Sequence, residues 1–319
     1  LTMRQSPSYA PSEISQSRSK QIVLIDTDIG NDIDDALALA LALRSPELDV
    51  RAVTTVFGNT HQRARLAAHL LTTFGHEDIP VAAGVQIPIQ PRQRPSGVPQ
   101  AAILDDHVEY PALSTLSGPE LIIQTAQAHQ GQLTLLCLGP LTNVAKALNR
   151  EPNLFMAIRR IVMMGGTSSW PWSEWNIRSD AQAAQIVLGA GIPVTMLGWN
   201  VTLRCQLQAK HIEHLRTNSS AQTRFLSQLL AIWQRHRPRW QPGLPYLHDP
   251  LVVAALCAPE LLKFEEMTAR VLAHGPFKGF MVARLLDGPL VHAAVNVQAE
   301  EVREWIMQRL LAPSTTQSS

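Results

Sequence analysis

The chain has 319 residues and a mass of 35.1 kDa, enough for one large α/β domain with a sizeable core. Its 27 Lys and Arg stand against 26 Asp and Glu, a net charge of +1, so no overall field draws it to nucleic acid or an anionic membrane. A hydrophobic share of 45% and a charged share of 17% exclude a disordered chain.

Residues 1–20, with six serines, two prolines and no apolar run, are expected to form a disordered leader, not a signal peptide or anchor. The polar tail 312–319 is expected to be disordered too, leaving 21–311 as a single domain. QIVLID at 21–26 reads as a buried strand, DDALALALALR at 34–44 as an apolar helix and VRAVTTVF at 50–57 as a second strand, together a βαβ unit. The alternation continues with a helix near 60–74, a strand at IPVAA, a proline-rich irregular excursion over 84–118, a helix near 119–129, the strand QLTLLCL and a helix from Leu141. RRIVMMGG then reads as a strand, DAQAAQIVLGAG as a helix and IPVTMLG as a strand. A helical stretch at 208–247 breaks at Arg237, Pro238 and Pro242, and HDPLVVAAL starts a further helix. Late strands are expected at 267–274, 278–286 and 290–297, before the amphipathic EEVREWIMQRLL. This pattern predicts a doubly wound, mostly parallel sheet with helices on both faces.

No stretch approaches the roughly 20 apolar residues of a spanning helix. Cys137, Cys205 and Cys257 are scattered and form no Cys/His cluster, which fits a reducing compartment such as the cytoplasm and gives no structural zinc site.

Asp26, Asp28, Asp32, Asp34 and Asp35 fall within ten residues where the first strand gives way to the first helix. In an open α/β sheet that is where ligands bind. Helix capping by Asp32, with Asp34 and Asp35 complementing the helix dipole, accounts for two or three carboxylates at about 0.3–1 kcal/mol each, not five. Mutual repulsion raises the pKa of such a cluster unless a cation neutralises it. Oxygen-only donors favour Ca²⁺ or Mg²⁺ over zinc, and the spacing is not that of an EF-hand.

The segment DTDIGNDIDDALAL at 26–39 is followed in order by TTVFGN at 54–59, LGPLTNVA at 138–145, MGG at 164–166, EWN at 174–176 with Asp180 beyond, and HDP at 248–250. This set resembles the inosine-uridine preferring nucleoside hydrolases. The resemblance implies a doubly wound α/β fold, a Ca²⁺ ion at the bottom of the pocket, hydrolysis of the N-glycosidic bond of ribonucleosides, and a homo-oligomer, dimer or tetramer. By motif, Asp28 resembles the residue that ligates calcium and takes a proton from the attacking water. Asp35, Asp249 and the backbone carbonyl of Leu138 resemble further ligands. Asp34, Asn59, Glu174 and Asn176, with Asp249, match residues that hold the ribose. Three features depart from the family pattern: Asn31, Asp32 and Ile33 stand between Gly30 and the paired aspartates, the HG sequence after the third strand is missing with His107 as a possible substitute, and the loop between MGG and EWN carries no asparagine.

Breaking a ribosyl C–N bond creates oxocarbenium character that nearby carboxylates stabilise. His248, with an ordinary pKa of about 6.5, is the candidate acid for the leaving base; its alternative is a capping or surface histidine. Trp172 and Trp175, with Trp170, offer aromatic faces for a nucleobase or for packing a lid or subunit contact, and Tyr246 is a further base-pocket candidate. Glu174 and Asn176 could equally sit in a solvated loop, Asn59 in a turn, and Asn143 and Thr142 could satisfy turn hydrogen bonds. Two rival functions are a calcium-dependent nucleoside receptor without catalysis and a haloacid dehalogenase-type phosphatase. The second is disfavoured because Gly30 breaks the DxDx[TV] signature.

Overall fold

The computed structural model describes residues 19–90, 97–237 and 243–312. The first half runs β1 (Gln21–Thr27), α1 (Asp34–Leu43), β2 (Leu48–Thr55), α2 (Thr60–Phe74), β3 (Val81–Ala83), α3 (Gly118–Ala128), β4 (Leu133–Cys137), α4 (Thr142–Arg150), α5 (Leu154–Ala157) and β5 (Ile158–Met164). Next come α6 (Trp175–Ser179), α7 (Ala181–Leu188), β6 (Val194–Leu197), α8 (Trp199–Thr202), α9 (Ala209–Thr217) and α10 (Ala221–His236). The chain closes with α11 (Pro250–Cys257), β7 (Leu262–Val271), β8 (Met281–Ala283), β9 (Leu290–Val297) and α12 (Ala299–Leu311).

The strands form one sheet of order β3-β2-β1-β4-β5-β6-β9-β7-β8. It is parallel from β3 to β9; β7 runs antiparallel to β9, and β8 to β7. Successive residues of a strand face opposite sides of the sheet, and the apolar runs exploit both. Val23 and Ile25 enter one core with Leu136, Val162 and α1, whereas Leu24 enters the other with Leu135, Ile161 and Met163. Helix α1 is buried nearly all round because its Ala and Leu residues present no polar face, and α2, α11 and α12 pack on it. The sheet is the expected doubly wound, mostly parallel one.

Winding proceeds outward from β1 through β2 to β3, then returns to place β4 on the other side of β1. The carboxyl ends of β1 and β4 therefore flank the switch point, where two loops part and leave a crevice. The segment Asp28–Ile33 leaves β1 there, and Leu138–Leu141 leaves β4 beside it. Asn143, at the start of α4, does not merely complete a local turn. Its Nδ2 donates to Asp26 Oδ1 (2.7 Å) and the Thr55 carbonyl (3.0 Å), and its Oδ1 accepts from Val85 N (2.8 Å), tying the ends of β1, β2 and β3 together.

Several local expectations change. Asp32 is not the cap of α1: Ile33 occupies that position with no side-chain cap, and Asp32 Oδ1 instead accepts from Ile33 N at 2.7 Å. The 84–118 excursion contains a 3-10 turn at Pro99–Ile103, and residues 91–96 lie outside the described part. The stretch 208–247 is two helices parted at Asn218–Ser220; Pro238 and Pro242 lie outside the described residues. The strand expected at 278–286 shrinks to Met281–Ala283, and β7 begins five residues before the expected 267. Of the expected leader and tail, 1–18 and 313–319 lie outside the described residues.

Candidate active site

Each motif singled out in the sequence ends at the same edge of the sheet. Thr27 closes β1, and its hydroxyl donates to Asp35 Oδ1 while accepting from Ile29 N (3.1 Å), so the loop turns back onto α1. This brings Asp34 and Asp35, in the first turn of α1, under the crevice. Asp249 arrives from the far end of the chain because α11 packs against α1 and Pro250 opens α11. The carboxylates of Asp34, Asp35 and Asp249 each place an oxygen within 4.8 Å of the others, and all three residues are buried.

Charge decides what this arrangement can be. Two carboxylates about 5 Å apart at an effective dielectric of about 20 repel by about 3 kcal/mol. Three such pairs approach the whole stability of an ordinary domain. Burial first, then the neighbouring aspartates, push the carboxyls of Asp34 and Asp249 well above the carboxylate range; burial and then Asp28 do the same to Asp35. Asp28, partly buried beside them, is also raised by burial, against the pull of Arg63. Asp26 beneath is pushed up to about 7 by burial, and its Oδ2 is buried with no hydrogen-bond partner. Such a set either holds protons or takes up a hard cation, and its all-oxygen chemistry suits calcium or magnesium. Gly139 gives the cluster room on the β4 side, because a Cβ there would lie 2.8 Å from Asp28 Oδ1 and 2.9 Å from Val56 Cγ1.

Glu174 and Asn176 are not in a solvated loop. Both are buried, and Glu174 caps α6: its carboxylate accepts from Asn176 N (2.8 Å), Ile177 N (3.1 Å) and Gly166 N (3.1 Å). The turn that presents this amide requires glycine, since Gly166 has φ 70° and a Cβ there would meet Met281 Sδ at 2.3 Å. Burial nonetheless leaves the Glu174 carboxyl above its ordinary value, against the three amides. Asn176 Nδ2 donates to the carbonyls of Leu138 (2.6 Å) and Met164 (3.2 Å). One side chain thus joins the ends of β4 and β5 and orients the Leu138 carbonyl.

His248 precedes Asp249 and is neither a cap nor a free surface ring. Its Nδ1 lies 2.6 Å from Thr202 Oγ1, and its ring packs 5.5 Å from that of Tyr246. Part of the residue reaches solvent, while the protein around the ring pushes its pKa down to about 4. Burial thus sets the ring below the ordinary imidazole value assumed from sequence. Trp172 stacks on Trp199 (5.4 Å, 12° between planes), and Trp175 meets Phe57 edge-on at 6.4 Å with Arg178 over its ring. Trp172 and Trp175 keep nearly half of their surface exposed.

The chain matches the model of the inosine-uridine preferring nucleoside hydrolases over residues 23–304. It belongs to that family. It is 32% identical over 314 residues to a probable uridine nucleosidase 2 of Arabidopsis thaliana, covering 91% of this chain and 97% of the relative. Over 271 residues it is 36% identical to a pyrimidine-specific ribonucleoside hydrolase RihA of Citrobacter koseri, covering 80% and 85%. Among solved structures it is similar to a purine-preferring ribonucleoside hydrolase from Gardnerella vaginalis, with a TM-score of 0.79, 29% identity, and coverage of 91% of this chain and 98% of that one. Like the rest of its family, this nucleoside hydrolase is an N-ribohydrolase.

Within this nucleoside hydrolase the motif residues do not all converge equally. Asp34, matched by motif to the ribose, lies within the same carboxylate group as Asp35 and Asp249, with Asp28 alongside. Asn59 is exposed and its Oδ1 caps α2 by accepting from Gln62 N (3.1 Å). His107 sits in an exposed turn whose neighbours Asp105 and Asp106 bond Arg65, so its contacts do not lead to the carboxylates. In the loop without an asparagine, Ser168 N donates instead to Asn200 Oδ1 (3.0 Å) of α8.

Two residues escaped the sequence reading. Arg63 is fully buried in α2, and its guanidinium donates to the carbonyls of Phe57 (2.7 Å), Ile29 (2.7 Å) and Asp28, and to Asn31 Oδ1 (2.6 Å). It both shapes the acidic loop and sets a positive charge against it. Gln100, buried in the 3-10 turn, accepts no role from its sequence context, yet its Nε2 donates to the Asp32 carbonyl (2.8 Å) and its N–H to the Gly30 carbonyl (3.1 Å). An arginine among apolar helix positions was the available signal for Arg63; Gln100 offered none.

The raised carboxyls have a consequence for stability. A carboxyl whose folded pKa exceeds its unfolded value binds its proton more tightly when folded, so stability falls as pH rises from about 4 through the folded pKa. The depressed His248 acts in the opposite sense between about 4 and 6.5, but it is one group against the aspartate cluster. In excess chelator the melting temperature should therefore fall between pH 5 and pH 8; a flat or rising profile in a thermal-denaturation series would contradict the electrostatics described here.

Proposed function

We infer that this chain hydrolyses ribonucleosides to free base and ribose in a calcium-dependent reaction that inverts the anomeric carbon. The observation that carries this reading is the meeting of Asp34, Asp35 and Asp249 within 4.8 Å, from opposite ends of the chain, with Asp28 and His248 next to them. Asp28, Asp35, Asp249 and the Leu138 carbonyl would hold the ion, and Asp34 lies close enough to join them. Calcium bound there would supply the positive charge that offsets the carboxylates, acidifies water and grips vicinal hydroxyls.

Asp28 takes a proton from the attacking water, which approaches the sugar on the face opposite the base. Asp34, Asn59, Glu174 and Asn176 orient the ribose hydroxyls, and Asp249 presents its carboxylate from beneath. Fixed anions near the ring stabilise the positive charge that develops as the C–N bond stretches. The backbone amides that immobilise Glu174 keep its charge from reorganising at that moment. His248 protonates the departing base. Its low pKa makes the imidazolium a stronger acid, while fewer molecules carry it at rest. The exposed faces of Trp172 and Trp175 receive the base, where aromatic stacking contributes about 1–3 kcal/mol. The named relatives divide between pyrimidine and purine nucleosides, so a panel of both is the proper substrate set. Unpaired Cys137, Cys205 and Cys257 support a cytoplasmic setting, and no helix among the described residues is long and apolar enough to cross a membrane.

Release of free ribose from inosine, adenosine, guanosine, uridine and cytidine tests the reading. Turnover should be lost on chelation, return with calcium, and fall by about 10²–10⁴-fold in Asp28→Asn, the range for removal of a general base. Tight nucleoside binding without ribose release would instead favour a receptor. Trp172→Ala should change the ranking of bases while leaving calcium affinity within about twofold; an equal loss on every nucleoside would argue against base stacking.

A further inference from the structure

Thr202 is fully buried at the end of α8 and belongs to none of the motifs that mark the acidic crevice. Its hydroxyl makes two contacts at once. Oγ1 donates to the Trp199 carbonyl (3.3 Å) one turn earlier, and lies 2.6 Å from His248 Nδ1. A hydroxyl has one proton and two lone pairs. Either atom can donate in the 2.6 Å contact: where the hydroxyl gives its proton to Trp199 it accepts at the histidine and Nδ1 carries a proton, and in both arrangements Nδ1 is engaged by Thr202. Among the described residues Nε2 has no hydrogen-bond partner, and it is not fully buried, so it is the ring nitrogen left open.

We propose that Thr202 is a positioning residue that fixes the ring of His248 through Nδ1, so that Nε2 alone exchanges the proton needed by the leaving base. The inference rests on the hydrolase reading above. In the step it serves, the C1′–N bond breaks and its electron pair goes to the base. The Nε2 proton of the imidazolium passes to a base nitrogen, and the ring remains neutral with its second proton on Nδ1, donated to Thr202 Oγ1. Water forms the new bond to C1′ and its proton goes to Asp28, so atoms and charge balance. The helix that carries Thr202 is anchored at its first residue: Trp199 N donates to the Gly166 carbonyl (2.9 Å), and the Trp199 ring stacks on Trp172. The short helix α8 thus contacts both Trp172, through Trp199, and His248, through Thr202.

The test compares a nucleoside with 4-nitrophenyl β-D-ribofuranoside, whose phenolate leaves without a proton. Thr202→Val keeps the side-chain shape and removes the hydroxyl, and Thr202→Ser restores it. On uridine or inosine, Thr202→Val should lower kcat by about 10²-fold with little change in KM, the low end for general-acid catalysis. On the nitrophenyl riboside it should stay within about threefold of the parent, and Thr202→Ser should recover most of the nucleoside rate. Equal losses on both substrates, or no recovery by serine, would overturn the proposal. If the parent protein hydrolyses neither substrate, the functional reading fails, and the ¹⁵N spectrum of its histidines still decides the matter. The ring identified by its loss in His248→Gln should carry its neutral-state proton on Nδ1 and become a tautomer mixture in Thr202→Val; an unchanged tautomer would refute the role of Thr202.

Discussion

Repulsion among aspartates taken out of water is the constraint around which this end of the molecule is organised. Asp26, Asp34, Asp35 and Asp249 are buried and Asp28 is partly so, at a cost that apolar packing alone does not remove. The fold answers in two ways. Hydroxyl and amide donors from Thr27, Thr54 and Asn143 engage the carboxylates of Asp35 and Asp26, and the buried guanidinium of Arg63 lowers the energy of the ionised cluster. Neither supplies a full set of counter-charges, and the remaining deficit is what an alkaline-earth ion would fill.

The scaffold makes that concentration of charge tolerable by rigidity. Parallel strands buried on both faces deliver five loop segments to one edge of the sheet, and side chains cross-link them there. Asn143 joins the ends of β1 and β2 to the segment after β3, Asn176 those of β4 and β5, and Glu174 the glycine turn after β5 to α6. These residues do their work partly through backbone groups, so a polar side chain in a motif need not touch substrate to matter for its geometry.

The strand and helix order and the parallel sheet could be read from sequence because apolar periodicity encodes them, whereas the convergence of Asp34 and Asp35 with Asp249 was implied by the resemblance of the ordered motifs to the family. The reading failed where a long-range contact overrides a local signal. Asp32 looked like a cap, but the loop is pinned by Arg63 and Gln100 instead. His248 looked like an ordinary imidazole, but Thr202 and the ring of Tyr246 enclose it. Trp199, which backs Trp172, sits 27 positions away and carries no motif of its own. In each case the missing information was a tertiary neighbour, which periodicity does not specify.

Isothermal titration of the chelator-stripped chain with calcium asks most directly whether the buried carboxylates form a cation site. One ion should bind per chain, with proton release that grows as pH falls from 8 to 6, and Asp35→Asn should abolish the heat while leaving the circular-dichroism spectrum intact. A folded protein that binds no divalent ion, yet turns over nucleosides at full rate, would contradict the account.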